Sequence, residues 1–343
     1  MPKRILIVEV NWVGDVLFTT PFIRSVRKAY PDAYIACLAH PRTKQVLGSN
    51  PRIDELIEYD EAERHKGILG KAGLIFELRR KKFDTAFILH RSLTKAAITF
   101  LAGIGKRVGY PEKKRSFLLT DPVPMPSEEM HKVEYFLGLA KAAGIDEGPH
   151  WYEFFVEDKD RAYIKGLLSK GGISGGELLI TICPGGNWDP KRWPKERFAE
   201  LSDMLIERAG ARIAIAGAEK DVSLAEEIKE MMRNEPVVTC GMTTLGQLGA
   251  LLERSGLVVA NDTGPMHMAG AVKTKVLALF GPTSPDITGP YGEAPHRVIY
   301  RNDKCDVPCY DMSCRDNRCM ADIKVEDVFN VAQELMNEGR SPV

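Results

Sequence analysis

The sequence predicts an α/β protein built from two doubly wound, Rossmann-like domains with a cleft between them. Three observations carry that expectation. Short β-branched runs alternate with helix-length amphipathic runs along the whole chain of 343 residues. The alternation restarts after a Gly- and Ser-rich stretch near the middle. The residues able to do chemistry crowd just after the strand-like runs, where open parallel sheets bind their ligands.

In the first half the strand-like runs are "ILIVEV" (5–10), "AYIACLA" (33–39), "ELIEY" (55–59), "TAFIL" (85–89) and "KRVGY" (106–110). Helical patterns such as "TTPFIRSVRKAY" and "TKAAITFLAGI" separate them. Continuous apolar runs of this kind mark parallel strands covered on both faces. The second half repeats the scheme with "LLITICPG" (178–185), "RIAIAGA" (212–218), "VVTC" (237–240), "LVVANDTG" (257–264) and "KVLALFGP" (275–282). "GLLSKGGISGGELL" (166–179) reads as a linker followed by an opening strand, which divides the chain into domains 1–165 and 166–343. The last helical run, "VEDVFNVAQELMNEG" (325–339), is free to pack on its own domain or back on the first.

With 44% hydrophobic and 27% charged residues, the composition is that of a soluble globular protein. The net charge of zero hides an asymmetry: residues 1–150 hold 24 Lys and Arg against 18 Asp and Glu, and the remainder holds 23 against 29. A basic first half suits an anionic partner, a phosphate-bearing ligand or an acidic membrane surface, although ordinary surface variation explains it equally well. "MPKRILIVEV" is a strand with a basic flank, unlike a signal peptide, and "AAITFLAGIG" (96–105) is too short to span a bilayer. The expected location is the cytoplasm.

Four strand ends stand out. After the first strand, "NWVGDVLFTT" puts Asp15 at the mouth of a helix, as a cap, a ligand or a base. "CPGGNWDPKRWPKERF" (183–198) leaves a strand through Gly185 and Gly186, which allow close backbone approach, and offers Lys191 or Arg192 to phosphate oxygens. "AGAEKD" (216–221) offers Glu219 or Asp221 to a ribose, or as a cap. In "VVANDTGPMHMAGAV" (258–272), Asp262, Thr263 and Gly264 turn into a helix that carries Pro265 near its start. Its free N–H groups and dipole suit a diphosphate, while Asp262 and Thr263 are equally ordinary caps and His267 is either a phosphate ligand or a core histidine. No G-x-G-x-x-G follows the first strand and no G-x-x-x-x-G-K-[ST] is present, which speaks against dinucleotide and P-loop sites. The only D-x-D, Asp158-Lys159-Asp160, opens a helical run and reads as capping. A phosphate site of this composition stabilises a leaving group through Lys and helix dipoles.

Taken together and in order, W-V-G-D, "PGGNWDPKRWP" and "NDTGPMHMAGA…LFGPTSP" resemble the ADP-heptose:lipopolysaccharide heptosyltransferase family, with the likeness running from residue 3 to about 335. "FDTAFILHRSLTKAAITFLAGIGKRVGY" also resembles its acceptor-side segment, and the K-R-W-P form and cysteine-rich tail are most similar to heptosyltransferase II. The resemblance implies a GT-B fold and an inverting, metal-independent glycosyltransferase. It implies transfer of L-glycero-D-manno-heptose from ADP-heptose to the lipopolysaccharide inner core, with heptosyl-Kdo-lipid A as acceptor and no cofactor required. A related GT-B enzyme with another nucleotide sugar or acceptor, heptosyltransferase I, and a non-catalytic nucleotide-binding scaffold are the alternatives. Asp15 matches the catalytic aspartate, a general base whose place near a helix N-terminus favours its ionised form. Lys191 matches the diphosphate lysine, and Asp262, Thr263, Gly264 and His267 match the D-[ST]-G-x-x-H segment on the donor nucleotide. Glu219 is preferred to Asp221 for the ribose. Gly186 and Asn187 stand where some relatives carry a hydroxyl residue, which leaves phosphate contacts there to backbone N–H groups or the Asn side chain.

A phosphorylated glycolipid acceptor implies peripheral association with the inner face of the inner membrane. Arg79, Arg80, Lys81 and Lys82 are candidates for phosphate or membrane-surface contact, as are Lys113, Lys114 and Arg115, and His90 and Arg91 are candidates for the acceptor sugar. A solvated charged face accounts for the 79–82 run equally well. Cys305, Cys309, Cys314 and Cys319 have spacings compatible with structural zinc, or are reduced or redox-labile thiols. Cys37, Cys183 and Cys240 read as small buried residues.

Overall fold

Parallel strands buried on both faces form the centre of each half of the molecule. The computed structural model describes residues 2–112, 114–301 and 305–338. The chain divides into one unit ending at Tyr152 and another beginning at Glu153.

The first unit contains β1 (Arg4–Val8), α1 (Val13–Ala29), β2 (Tyr34–Ala39), α2 (Pro41–Leu47), β3 (Glu55–Glu58), α3 (Gly67–Lys81), β4 (Thr85–Ile88), α4 (Leu93–Leu101), β5 (Lys106–Gly109), β6 (Asp121–Pro122) and α5 (Lys132–Ala142). Its strands lie in the order β3-β2-β1-β4-β5-β6, all parallel. Ile5 stands opposite both Ile35 and Thr85, so β1 is central. The chain reverses its direction of winding between β1 and β4. Such a switch point leaves a crevice at the carboxyl ends of the strands. Helix α1 runs through Pro21, which cannot donate to the Leu17 carbonyl one turn back. The Thr20 hydroxyl donates to that carbonyl instead, at 2.8 Å.

The second unit contains α6 (Asp158–Lys170), β7 (Leu179–Cys183), α7 (Lys195–Ala209), β8 (Arg212–Ile215), α8 (Val222–Met231), β9 (Val237–Val238), α9 (Leu245–Arg254), β10 (Leu257–Asn261), α10 (Gly264–Ala271), β11 (Val276–Phe280), α11 (Pro285–Thr288), β12 (His296–Tyr300), α12 (Arg318–Ala321) and α13 (Val325–Asn337). The parallel order is β12-β11-β10-β7-β8-β9, the same winding as in the first unit, with its switch point between β7 and β10. All residues of β7, β10 and β11 are buried. Each buried Val, Leu or Ile there contributes ~1.5–3 kcal/mol.

The boundary lies earlier than the 165/166 expected. The 166–179 stretch is the end of α6 and the turn into β7. Helix α6 belongs to the second unit because it packs on α9, where Arg161 forks onto Glu253 at 2.6 and 2.9 Å. Gly246 permits the approach, since a Cβ there would meet the Asp160 carboxylate of α6 at 2.4 Å. The last helix packs within its own unit. Val328, Phe329, Ala332 and Leu335 of α13 join the second core beside Leu201 and Leu205 of α7. Strands β6 and β12 carry no strong sequence signal, being short and half exposed respectively.

Candidate active site

At the switch point of the second unit, the chain leaves β7 through Pro184-Gly185-Gly186 and turns through Asp189–Lys191 into α7. Asn261, the last residue of β10, holds this loop down. Its Nδ2 donates to the Pro184 carbonyl at 2.8 Å and the Gly185 carbonyl at 3.2 Å, and its Oδ1 accepts from Trp193 N. Sequence reasoning missed Asn261, because its partners lie about seventy residues away. Gly185 is required by close approach: a Cβ would stand 2.8 Å from the Asp221 carboxylate.

Lys191 points from this loop to the end of β10. Its Nζ lies 2.6 Å from Asp262 Oδ2, with the Trp188 ring 4.8 Å beneath it. Thr283, another residue the sequence did not single out, donates to the same Asp262 oxygen at 2.7 Å. Asp262 therefore holds two donors and does not cap α10. The cap position belongs to Thr263, whose side chain makes no capping bond and donates back to the Asn261 carbonyl. Gly264 opens α10, and His267 is buried within it.

The remaining candidates separate. Arg192 folds onto its own loop, donating to the Gly186 carbonyl at 2.8 Å and pairing with Asp189 at 3.0 Å. Asn187 accepts from Lys220 at 2.7 Å. Glu219 is exposed beside Gly241, whereas Asp221 is buried and accepts from Ala218 N. Of the two acids, only Glu219 is presented to solvent.

At the switch point of the first unit, Asp15 is half-buried in the first turn of α1. The helix is capped from Trp12, so Asp15 stands at its third residue and is not the N-cap. The turn before it is braced by Lys95, whose ammonium donates to the Glu9 carbonyl at 2.8 Å and to Asn11 Oδ1 at 2.7 Å. Burial pulls Lys95 down to about 8. Burial likewise pushes Glu9 up to about 7, against a hydrogen bond from Thr19. The ammonium of Lys132, at the start of α5, faces Asp15 and Arg91, and burial lowers its pKa. None of Glu9, Lys95 or Lys132 was legible as a site residue.

His90 follows β4 and accepts from Ser92 N at 2.9 Å; burial lowers it to about 4, with help from Lys95 and Arg115. It is neutral at physiological pH. Arg91 is exposed, 3.4 Å from Glu112 and 3.3 Å from the Tyr135 hydroxyl. Arg115, expected at the acceptor, has its guanidinium engaged inside the first unit. It is buried and donates to the His90 and Tyr110 carbonyls, an internal brace. Lys114 is exposed, and Lys113 lies outside the described residues.

The cysteine segment lies on the corner after β11, where Cys309 N and Tyr310 N donate to the Pro282 carbonyl. All four of its cysteines are free thiols. Among the described residues no group of three or more His, Cys, Asp or Glu is placed to hold a metal ion. Cys37, Cys183 and Cys240 are buried, and burial raises each thiol. Among the described residues, no helix is long and apolar enough to cross a membrane.

The fold recurs in known proteins. Lipopolysaccharide heptosyltransferase 2 of Escherichia coli K12 is 31% identical over 300 residues, covering 84% of this chain and 85% of that protein. The crystal structure of a family 9 glycosyl transferase from Veillonella parvula aligns with a TM-score of 0.91 at 28% identity, over 98% of both chains. The structure of E. coli ADP-heptose lps heptosyltransferase II aligns with a TM-score of 0.81 at 27% identity, over 98% of this chain and all of that one. The profile of glycosyltransferase family 9 (heptosyltransferase) matches residues 72–319. This chain belongs to glycosyltransferase family 9, the heptosyltransferases, and its fold class is GT-B.

Proposed function

We propose that this protein transfers L-glycero-D-manno-heptose from ADP-heptose to heptosyl-Kdo-lipid A in lipopolysaccharide core assembly, with inversion and without a metal ion. The donor assignment draws on the similarity to E. coli ADP-heptose lps heptosyltransferase II. Asp15 takes the proton of the acceptor hydroxyl as its oxygen bonds to the anomeric carbon. The bond from that carbon to the diphosphate oxygen breaks, and ADP leaves with the electron pair. Lys191 and the N–H groups opening α10 receive the charge of the departing diphosphate. Glu219 takes the ribose hydroxyls. Asp262, being anionic, works by holding Lys191 rather than by touching phosphate. The acceptor is a lipid, so the protein works at the inner face of the inner membrane.

The observation that carries this reading is the position of Asp15, a carboxylate past the cap of α1 at a sheet switch point. The test is ADP release from ADP-heptose and heptosyl-Kdo-lipid A with EDTA present, for wild type and Asp15→Asn. Wild-type turnover, a loss on the order of 10²–10⁴ in the variant and unchanged ADP affinity are expected. Equal turnover by the variant assigns the base elsewhere. Turnover abolished by EDTA overturns the metal-free mechanism, and activity confined to another sugar donor overturns the substrate assignment.

A further inference from the structure

We propose that the outer face of α3 and α4 is the surface by which this protein docks on an anionic lipid bilayer. The proposal rests on the lipid-acceptor reading for its purpose, but its evidence is independent. Helix α3 turns Leu74 and Leu78 into the core. On its other side Ile68, Leu69 and Phe76 are 87%, 88% and 63% exposed, an inverted distribution for a soluble helix. Leu69, Gly73, Phe76 and Arg80 follow one another at spacings of four, three and four, a single line up the helix.

Helix α4 repeats the arrangement. It buries Ala96, Ile98 and Thr99 and exposes Leu93, Phe100 and Leu101. The two helices are neighbours, joined where the Arg79 guanidinium donates to the Leu101 carbonyl at 2.8 Å. Arg107 lies over the Phe100 ring at 5.2 Å and donates to the Leu118 carbonyl, which brings exposed Phe117 to the same edge. Large apolar side chains scattered singly need no explanation, but a continuous face of them marks an interaction surface.

Charge identifies the occupant. Between Arg64 and Lys82 there are seven basic residues and one acidic residue, Glu77. Lys81 is taken up by Glu55, whereas Lys66, Arg79, Arg80 and Lys82 are exposed. Apolar side chains flanked by cations match the interface of an anionic bilayer, where the apolar groups enter the acyl boundary and the cations meet lipid phosphates. A second copy of this chain would set two basic faces against each other, which like-charge repulsion opposes.

The test is co-flotation of the full chain with vesicles of equimolar phosphatidylethanolamine and phosphatidylglycerol, and with phosphatidylcholine vesicles. Wild type should float with the anionic vesicles, release progressively with added salt, and ignore phosphatidylcholine. Leu69→Asp with Phe76→Asp should weaken vesicle binding at least tenfold, and Lys66→Glu with Arg80→Glu should weaken it while abolishing its salt dependence. Turnover of a soluble, deacylated acceptor by the Leu69/Phe76 variant should stay at the wild-type level, which excludes misfolding as the cause. Vesicle binding retained by both variants overturns the proposal. So does a wild-type dimer by sedimentation velocity that the Leu69/Phe76 variant loses, which assigns the face to a second copy. Vesicle binding that behaves as expected, in a protein that turns over no heptose donor, supports the docking face and sinks the substrate reading alone.

Discussion

The ammonium of Lys191 and the carboxylate of Asp262 meet at 2.6 Å, and the Thr283 hydroxyl donates to the same carboxylate oxygen at 2.7 Å. Only 17% of the Lys191 side chain and 7% of that of Asp262 are exposed. The pair spans the switch point of the second sheet, from the loop after β7 to the end of β10.

Removing Lys191 alone leaves a buried carboxylate without its cation. Lys191→Met should destabilise the protein by about 3 kcal/mol in denaturant unfolding and lower turnover on the order of 10²–10³. Lys191→Met with Asp262→Asn should recover most of the stability and none of the turnover, a double-mutant cycle that separates packing from chemistry. Recovery of both would make the lysine purely structural.

Gly185→Ala tests the loop geometry. The new methyl would stand 2.8 Å from the Asp221 carboxylate, which is itself buried and bonded to Ala218 N. A loss of ~1–3 kcal/mol in stability is expected, together with weaker ADP binding by calorimetry as the loop shifts.

Glu9 makes stability depend on pH. Burial raises it from 4.5 to about 7, so the folded state holds its proton more tightly than the unfolded chain does. That contribution is fully present below the unfolded value and is lost as pH rises through the folded one. Glu9→Gln should flatten the stability curve between those values, gaining up to ~3 kcal/mol over wild type at higher pH in denaturant titrations.

His90 behaves oppositely. Its folded value, lowered from 6.5 to about 4, favours the neutral ring. Its contribution is present above the unfolded value and is lost as pH falls through the folded one. Its imidazole resonances, followed by NMR, should titrate near 4, and the pH profile of kcat/KM should carry no His90 limb near neutrality.

Much of the fold was legible because strands buried on both faces must be apolar throughout. "ILIVEV", "LLITICPG" and "KVLALFGP" therefore announce β1, β7 and β11 directly. Strand β12, "HRVIY", escaped because one edge of it faces solvent and its pattern is mixed. The candidate site was legible as far as local rules reach: Asp15, Lys191, Asp262 and Glu219 all follow strands, where parallel sheets expose their crevices.

The sequence by itself determined two doubly wound sheets and which strand ends carry polar chemistry, since periodicity and turn composition are properties of neighbouring residues. Tertiary structure alone decided which of those residues work together. It brought Lys191 and Thr283 together on Asp262, buried Arg115 and Asp221, set Lys95 beneath the Asp15 turn, and placed the division between units after Tyr152. Those outcomes depend on contacts between residues far apart in the chain. Burial and pairing at such distances are settled by how helices and sheets pack, and no local pattern encodes them.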